Sequence, residues 1–112
     1  HLDGKHITTS FTPITANGIP KFFPRVFDGQ DRGIVYAVQY WAGPKVTVAM
    51  IRSEAVHDRH QELMKAGFEY MYDFIPHITV MGGEPKDIEA LRQELVGQGV
   101  TFNTEYCGML GC

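Results

Sequence analysis

The sequence predicts an α+β domain with a mainly antiparallel sheet flanked by helices. Two observations carry this. The elements run strand, hairpin, helix, strand, helix, strand, an order that mixes the two types without the regular βαβ alternation of a parallel sheet. Two of the strands are joined by one tight turn, and only antiparallel strands can be joined that way.

Each element has its own signal. Residues 5–11 (KHITTSF) read as a strand from β-branched content and alternation. Residues 12–31 hold three prolines, two glycines and an Asn-Gly pair, and read as a long ordered loop. Residues 33–42 (GIVYAVQYWA) and 45–52 (KVTVAMIR) read as two strands around a turn at Gly43-Pro44. A helix follows. Ser53 is its N-cap, Val56, Leu63 and Met64 line one face, and Gly67 closes it. Residues 74–81 (FIPHITVM) read as a strand. A second helix runs from about Pro85 to Val96, with Ile88, Leu91 and Leu95 as its apolar face and Gly97 as its stop. A last strand covers 99–106 (GVTFNTEY).

The chain has 112 residues. That suits one compact domain, residues 1–112, and is too few for two. It is 44% hydrophobic and 21% charged, the composition of a folded domain and not of a disordered tail. Its net charge is −3, whereas proteins that track long nucleic acid carry a basic excess. No apolar run approaches the ~18–20 residues that span a bilayer, and no secretory signal is visible. Cys107 and Cys112 form no CxxC pair and read as reduced thiols of a cytoplasmic protein, with a terminal disulfide as the alternative. The first residue is His1 and not Met, which reads as an excised fragment.

One feature stands above this background. His6-Ile7-Thr8-Thr9 and His77-Ile78-Thr79-Val80 are near copies, 71 positions apart. Side chains alternate along a strand. Each motif therefore offers one imidazole and one hydroxyl to the same face and anchors itself by an isoleucine behind. Two such strands facing one cleft suit phosphodiester hydrolysis. One neutral histidine, His6 or His77, takes a proton from the attacking water. The other, protonated, gives a proton to the leaving oxygen. Imidazole suits both tasks because its unperturbed pKa lies near neutral pH. Thr8 and Thr79 can donate to the phosphoryl oxygens. This chemistry needs no metal and no cofactor. The assignment of acid and base stays open.

On these residues the chain resembles the two-histidine phosphoesterase superfamily, the LigT-like group, defined by two H-x-[ST]-apolar motifs on facing strands of a pseudo-symmetric two-lobed fold. The resemblance covers residues 5–106. The segment SEAVHDRHQELMKAGFEYMYDFIPHITV looks closest to phage-encoded members. Some of these hydrolyse the cyclic oligonucleotide messengers of bacterial anti-phage defence, the anti-CBASS proteins. The resemblance implies a small nucleotide or oligonucleotide substrate, cyclic or 2′–5′/3′–5′ linked, and the host cytoplasm as the place of action. LigT-like proteins usually carry a strand and helix before the first motif, whereas five residues precede His6 here. Either the chain is trimmed or its first lobe is reduced.

Further residues are candidates for substrate contact. Tyr40 and Trp41 are adjacent on a strand and point to opposite faces, so one can stack on a base while the other is core. Tyr70 and Tyr72 share a strand-like parity before the second motif and read either as lining a cleft mouth or as core or surface packing. Lys45, beside the hairpin turn, is the leading phosphate donor among Lys5, Arg32, Lys45 and Arg52. The loop 12–31, with Lys21, Phe22, Phe23 and Arg25, has the length of a lid. His57 and His60 stand i,i+3 on a helix, but no third ligand completes a metal site, and both read as solvated or packed helix histidines. Two other functions compete: RNA 2′,3′-cyclic phosphodiesterase or RNA-end processing, and a non-catalytic nucleotide-binding module. A structural domain of a larger polypeptide is a third. Intact histidines in both motifs argue against pure binding, which does not need two titratable groups.

Overall fold

The structure is a computed structural model that describes residues 2, 5–10, 21, 32–70, 73–102 and 105. Six elements follow in order: β1 (Arg32–Trp41), β2 (Val46–Arg52), α1 (Glu54–Lys65), β3 (His77–Gly82), α2 (Ile88–Leu95) and β4 (Gly99–Thr101). The strands form one sheet in the order β3-β2-β1-β4, and every pairing is antiparallel. The α+β class and antiparallel sheet expected from the sequence are what forms.

The hairpin turns at residues 42–45, with Lys45 in the left-handed region at φ 57°. Its carbonyl accepts from the Gly83 N–H at 2.8 Å, and the Thr47 hydroxyl donates to the Gly83 carbonyl at 2.7 Å. These two bonds fasten the end of β3 to the hairpin. Two of the three strand pairs carry one irregularity each, between Val35 and Ala37 against β2 and between Thr47 and Val48 against β3. Such bulges bend a sheet and increase its twist.

Both α1 caps are where the sequence puts them. The Ser53 side chain accepts from the Val56 N–H at 3.3 Å. At the other end the Phe68 N–H bonds the Leu63 carbonyl and the Gly67 N–H bonds the Met64 carbonyl. This pair of hydrogen bonds is the Schellman stop, and Gly67 at φ 101° supplies the left-handed residue it requires.

Other boundaries differ from the sequence reading. Residues 5–10 carry no strand. Two bonds that involve side chains tie this segment to the rest: His60 bonds the Thr9 carbonyl, and the Ser10 hydroxyl donates to the Glu69 carbonyl at 2.9 Å. Helix α2 starts at Ile88, not near Pro85, because Asp87 is the cap and accepts from the Ala90 N–H at 3.1 Å. Strand β4 ends at Thr101, short of residue 106. Past it, Glu105 takes three hydrogen bonds from the Arg59 guanidinium at 2.6–3.0 Å. Residue 105 is thus tied to α1. Most of the loop 12–31, Tyr72, Cys107 and Cys112 lie outside the described residues.

The core lies between the sheet and α2. Val35, Val38, Ala49, Ile51, Ile78, Val80, Leu91 and Leu95 form one buried cluster, and Leu2, Ile7, Val100 and Phe102 pack against it. Gly33 is required at its position, since a Cβ there would meet Ile51 Cγ2 at 2.7 Å. Among the described residues no helix is long and apolar enough to cross a membrane.

Candidate active site

The second motif is built by the register of β3. Ile78 and Val80 are 4% and 7% exposed and belong to the α2-side core. Alternation therefore sends His77 and Thr79 to the other face. In antiparallel pairs, directly opposed residues share a face. Met50 stands opposite His77 and Val48 opposite Thr79. On the other side of β2, Ala37 opposes Met50, Gln39 opposes Val48 and Trp41 opposes Val46. One sheet face thus presents Trp41, Gln39, Thr79 and His77.

The rings of Trp41 and His77 lie 4.5 Å apart between centroids, at 60°. Across β2 these residues pair with Val46 and Met50, four positions apart, so their contact requires the sheet to curl toward this face. Val48 lies between them and is fully buried. The indole N–H of Trp41 donates to Gln39 Oε1 at 3.3 Å, which fixes the plane of the ring.

The tautomer of His77 follows from its partner. Its Nδ1 lies 2.8 Å from the Ile75 carbonyl oxygen. A carbonyl only accepts, so Nδ1 carries the proton and Nε2 is the nitrogen that can take or give one. The side chain is half-buried and Thr79 is exposed.

The first motif has the same division of labour by burial. His6 is exposed, Thr8 is half-buried and Ile7 packs on the core cluster. What holds it is α1. His60 Nδ1 lies 2.7 Å from the Thr9 carbonyl oxygen, which fixes this tautomer by the same argument. The His60 ring stacks on Phe74 at 3.8 Å between centroids and 4° between planes. Phe74 also meets the edges of His57 at 5.3 Å and Tyr70 at 5.5 Å. His60 therefore joins the segment of the first motif to the residues that lead into the second.

The other candidates divide. Trp41 is in contact with His77. Tyr40 stands opposite Thr47, on the face of Val38 and Ala49, away from that imidazole. Tyr70 is half-buried beside His60, and its burial raises the phenol above its ordinary value. Lys45 is exposed at the hairpin tip, next to the Trp41–Val46 pair. Arg52 lies over the Tyr36 ring at 5.4 Å. Among the described residues no group of three or more His, Cys, Asp or Glu side chains is placed to hold a metal ion. The sequence singles out neither Gln39 nor Phe74, and it marks His60 as a packed or solvated helix histidine without showing its partners. The HDRH run was visible, but its partners, a carbonyl and a phenyl ring, leave no pattern in the sequence.

These features describe a small α+β protein with an imidazole, a hydroxyl and an indole on one curled sheet face. The family model for anti-CBASS protein Acb1 matches residues 26–111, and the chain belongs to that family. Membership places it in phage counter-defence against cyclic-nucleotide signalling. The matched span includes His77, Thr79 and Trp41, while His6 and Thr8 precede it. Comparison with curated proteins and with solved structures finds no match.

Proposed function

We propose that the chain is a two-histidine, LigT-like phosphodiesterase that hydrolyses a cyclic or 2′–5′/3′–5′ linked oligonucleotide messenger in the host cytoplasm without a metal. The observation that carries this reading is His77. Its tautomer is fixed by the Ile75 carbonyl, its ring is braced by Trp41, and it shares a face with the Thr79 hydroxyl. Membership in an anti-CBASS family supports a cyclic-nucleotide ligand.

In the proposed reaction a water oxygen attacks phosphorus and the bond to the leaving ribose oxygen breaks. One of His6 and His77 takes the proton from the water, and the other delivers a proton to the leaving oxygen. Thr8 and Thr79 donate hydrogen bonds to the non-bridging oxygens as charge shifts onto them. Trp41 offers a base-stacking surface beside the imidazole. Stacking of this kind contributes about 1–3 kcal/mol per base.

The test is incubation with cyclic dinucleotides and trinucleotides, 2′–5′ oligoadenylate and 2′,3′-cyclic nucleotides in EDTA, with products followed by chromatography. Cleavage of a cyclic oligonucleotide in chelator is the expected result. Loss of all activity in EDTA that a divalent ion restores would sink the mechanism. Turnover of 2′,3′-cyclic nucleotides alone would move the function to RNA ends. Tight binding without turnover would leave a non-catalytic module.

A further inference from the structure

We infer that His60 is a positioning residue that holds the first His-x-Thr segment in place. The inference rests on the two-histidine reading of the site. Residues 5–10, on which His6 and Thr8 ride, carry no strand. The Thr9 carbonyl is instead bound by the Nδ1–H of His60, across 51 residues of sequence. His60 is itself fixed on two further sides. Phe74 stacks flat against the ring, and Tyr70 meets it edge-on at 5.4 Å. Phe74 in turn is one residue from Ile75, whose carbonyl sets the tautomer of His77. One imidazole thus couples the backbone beside Thr8 to the short segment that orients His77. A second tie, from the Ser10 hydroxyl to the Glu69 carbonyl, does not involve His60.

Positioning matters here because the acid and the base must flank one phosphate. A misplacement of about 1 Å can lower turnover by about 10²-fold. Removing the imidazole donor frees the Thr9 carbonyl and lets His6 and Thr8 drift together, while His77, Thr79 and Trp41 stay on the sheet. The expected effect falls on kcat more than on KM.

Two variants separate the hydrogen bond from the stack. In His60→Asn the side-chain amide N–H stands where Nδ1 stood and keeps a donor for Thr9, but the ring is lost. In His60→Phe the ring remains to stack on Phe74 and the donor is lost. Two readouts are needed. The first is backbone 15N relaxation of residues 5–10 in the free protein, which needs no substrate. The second is kcat and KM on the cyclic oligonucleotide that the wild type cleaves. His60→Phe is expected to keep the fold and thermal midpoint, loosen residues 5–10, and lower kcat about tenfold or more. His60→Asn is expected to restore most of both. Unchanged relaxation in His60→Phe overturns the inference. So does a kcat loss in His60→Asn as large as that in His60→Phe, because the ring and not the donor would then matter. If the segment loosens as expected but the wild type cleaves no cyclic oligonucleotide, the tether stands and the proposed function fails.

Discussion

His77 owes its tautomer to a backbone group two residues away. The Ile75 carbonyl fixes the proton on Nδ1, and the indole of Trp41 stands against the ring, so the imidazole is held in one tautomer and braced on one side before any substrate arrives. Gln39 adds to this from a distance, because its bond to the indole N–H keeps Trp41 from swinging away. Tyr70 behaves differently. Burial is the cause of its raised pKa, so the folded protein keeps the phenolic proton to higher pH than the unfolded chain does. The stability linked to this proton is complete below the unfolded value and is lost as pH rises through the folded one. Wild type is therefore expected to lose more stability than Tyr70→Phe between about pH 9 and 11, around the usual tyrosine range. Urea midpoints at the two pH values measure it, and equal losses in the two proteins would contradict the assignment.

At the scale of elements, α1 is the part whose construction matters most, because it carries both His60 and the Arg59 side chain that binds Glu105. The Glu105 hydrogen bonds are the largest cause of the raised Arg59 pKa. The first turn of α1 depends on the Ser53 hydroxyl, which is buried and bonds the Val56 N–H. Ser53→Ala removes that acceptor and leaves a helix N–H without its partner, at a cost of about 1 kcal/mol. The urea midpoint should fall accordingly, and Ser53→Asp, which restores an acceptor, should recover part of the loss. Both α1 caps were readable because Ser and Gly act on their immediate neighbours. The hairpin was readable for the same reason, from Gly43-Pro44 between two alternating runs. The start of α2 lies past the sequence expectation because a proline tolerates the first turn but does not cap it, whereas the Asp87 carboxylate does. The strand expected at 5–11 fails on a different ground. Alternation shows which way side chains point in an extended segment, but not what its backbone will bond to. Here the Thr9 carbonyl goes to a helix side chain.

At the scale of the molecule, the repeat of His-Ile-Thr could be read from the sequence, and so could the split between an imidazole outside and an isoleucine inside. Ile78 is in the core and Ile7 packs against it, while His6 is exposed and His77 half-buried. The contacts around the two motifs are long-range: the His60 bond to Thr9, the stack on Phe74, and the curl that brings Trp41 to His77. None of these has a local signature. The burial pattern leads to a further prediction about the proposed mechanism. Neither His6→Ala nor His77→Ala removes a core side chain, so both variants should keep the far-ultraviolet spectrum and thermal midpoint of the wild type. Each should lose at least about 10²-fold in kcat/KM, the lower end for a general acid or base. Both proton transfers belong to one turnover, so once one partner is gone the other has little left to contribute. The double variant should then lose little beyond the worse single. Losses that multiply would mean that the two histidines act in separate steps. A folded His6→Ala protein with near-wild-type turnover would remove the first motif from the mechanism and leave His77 to be explained without a partner.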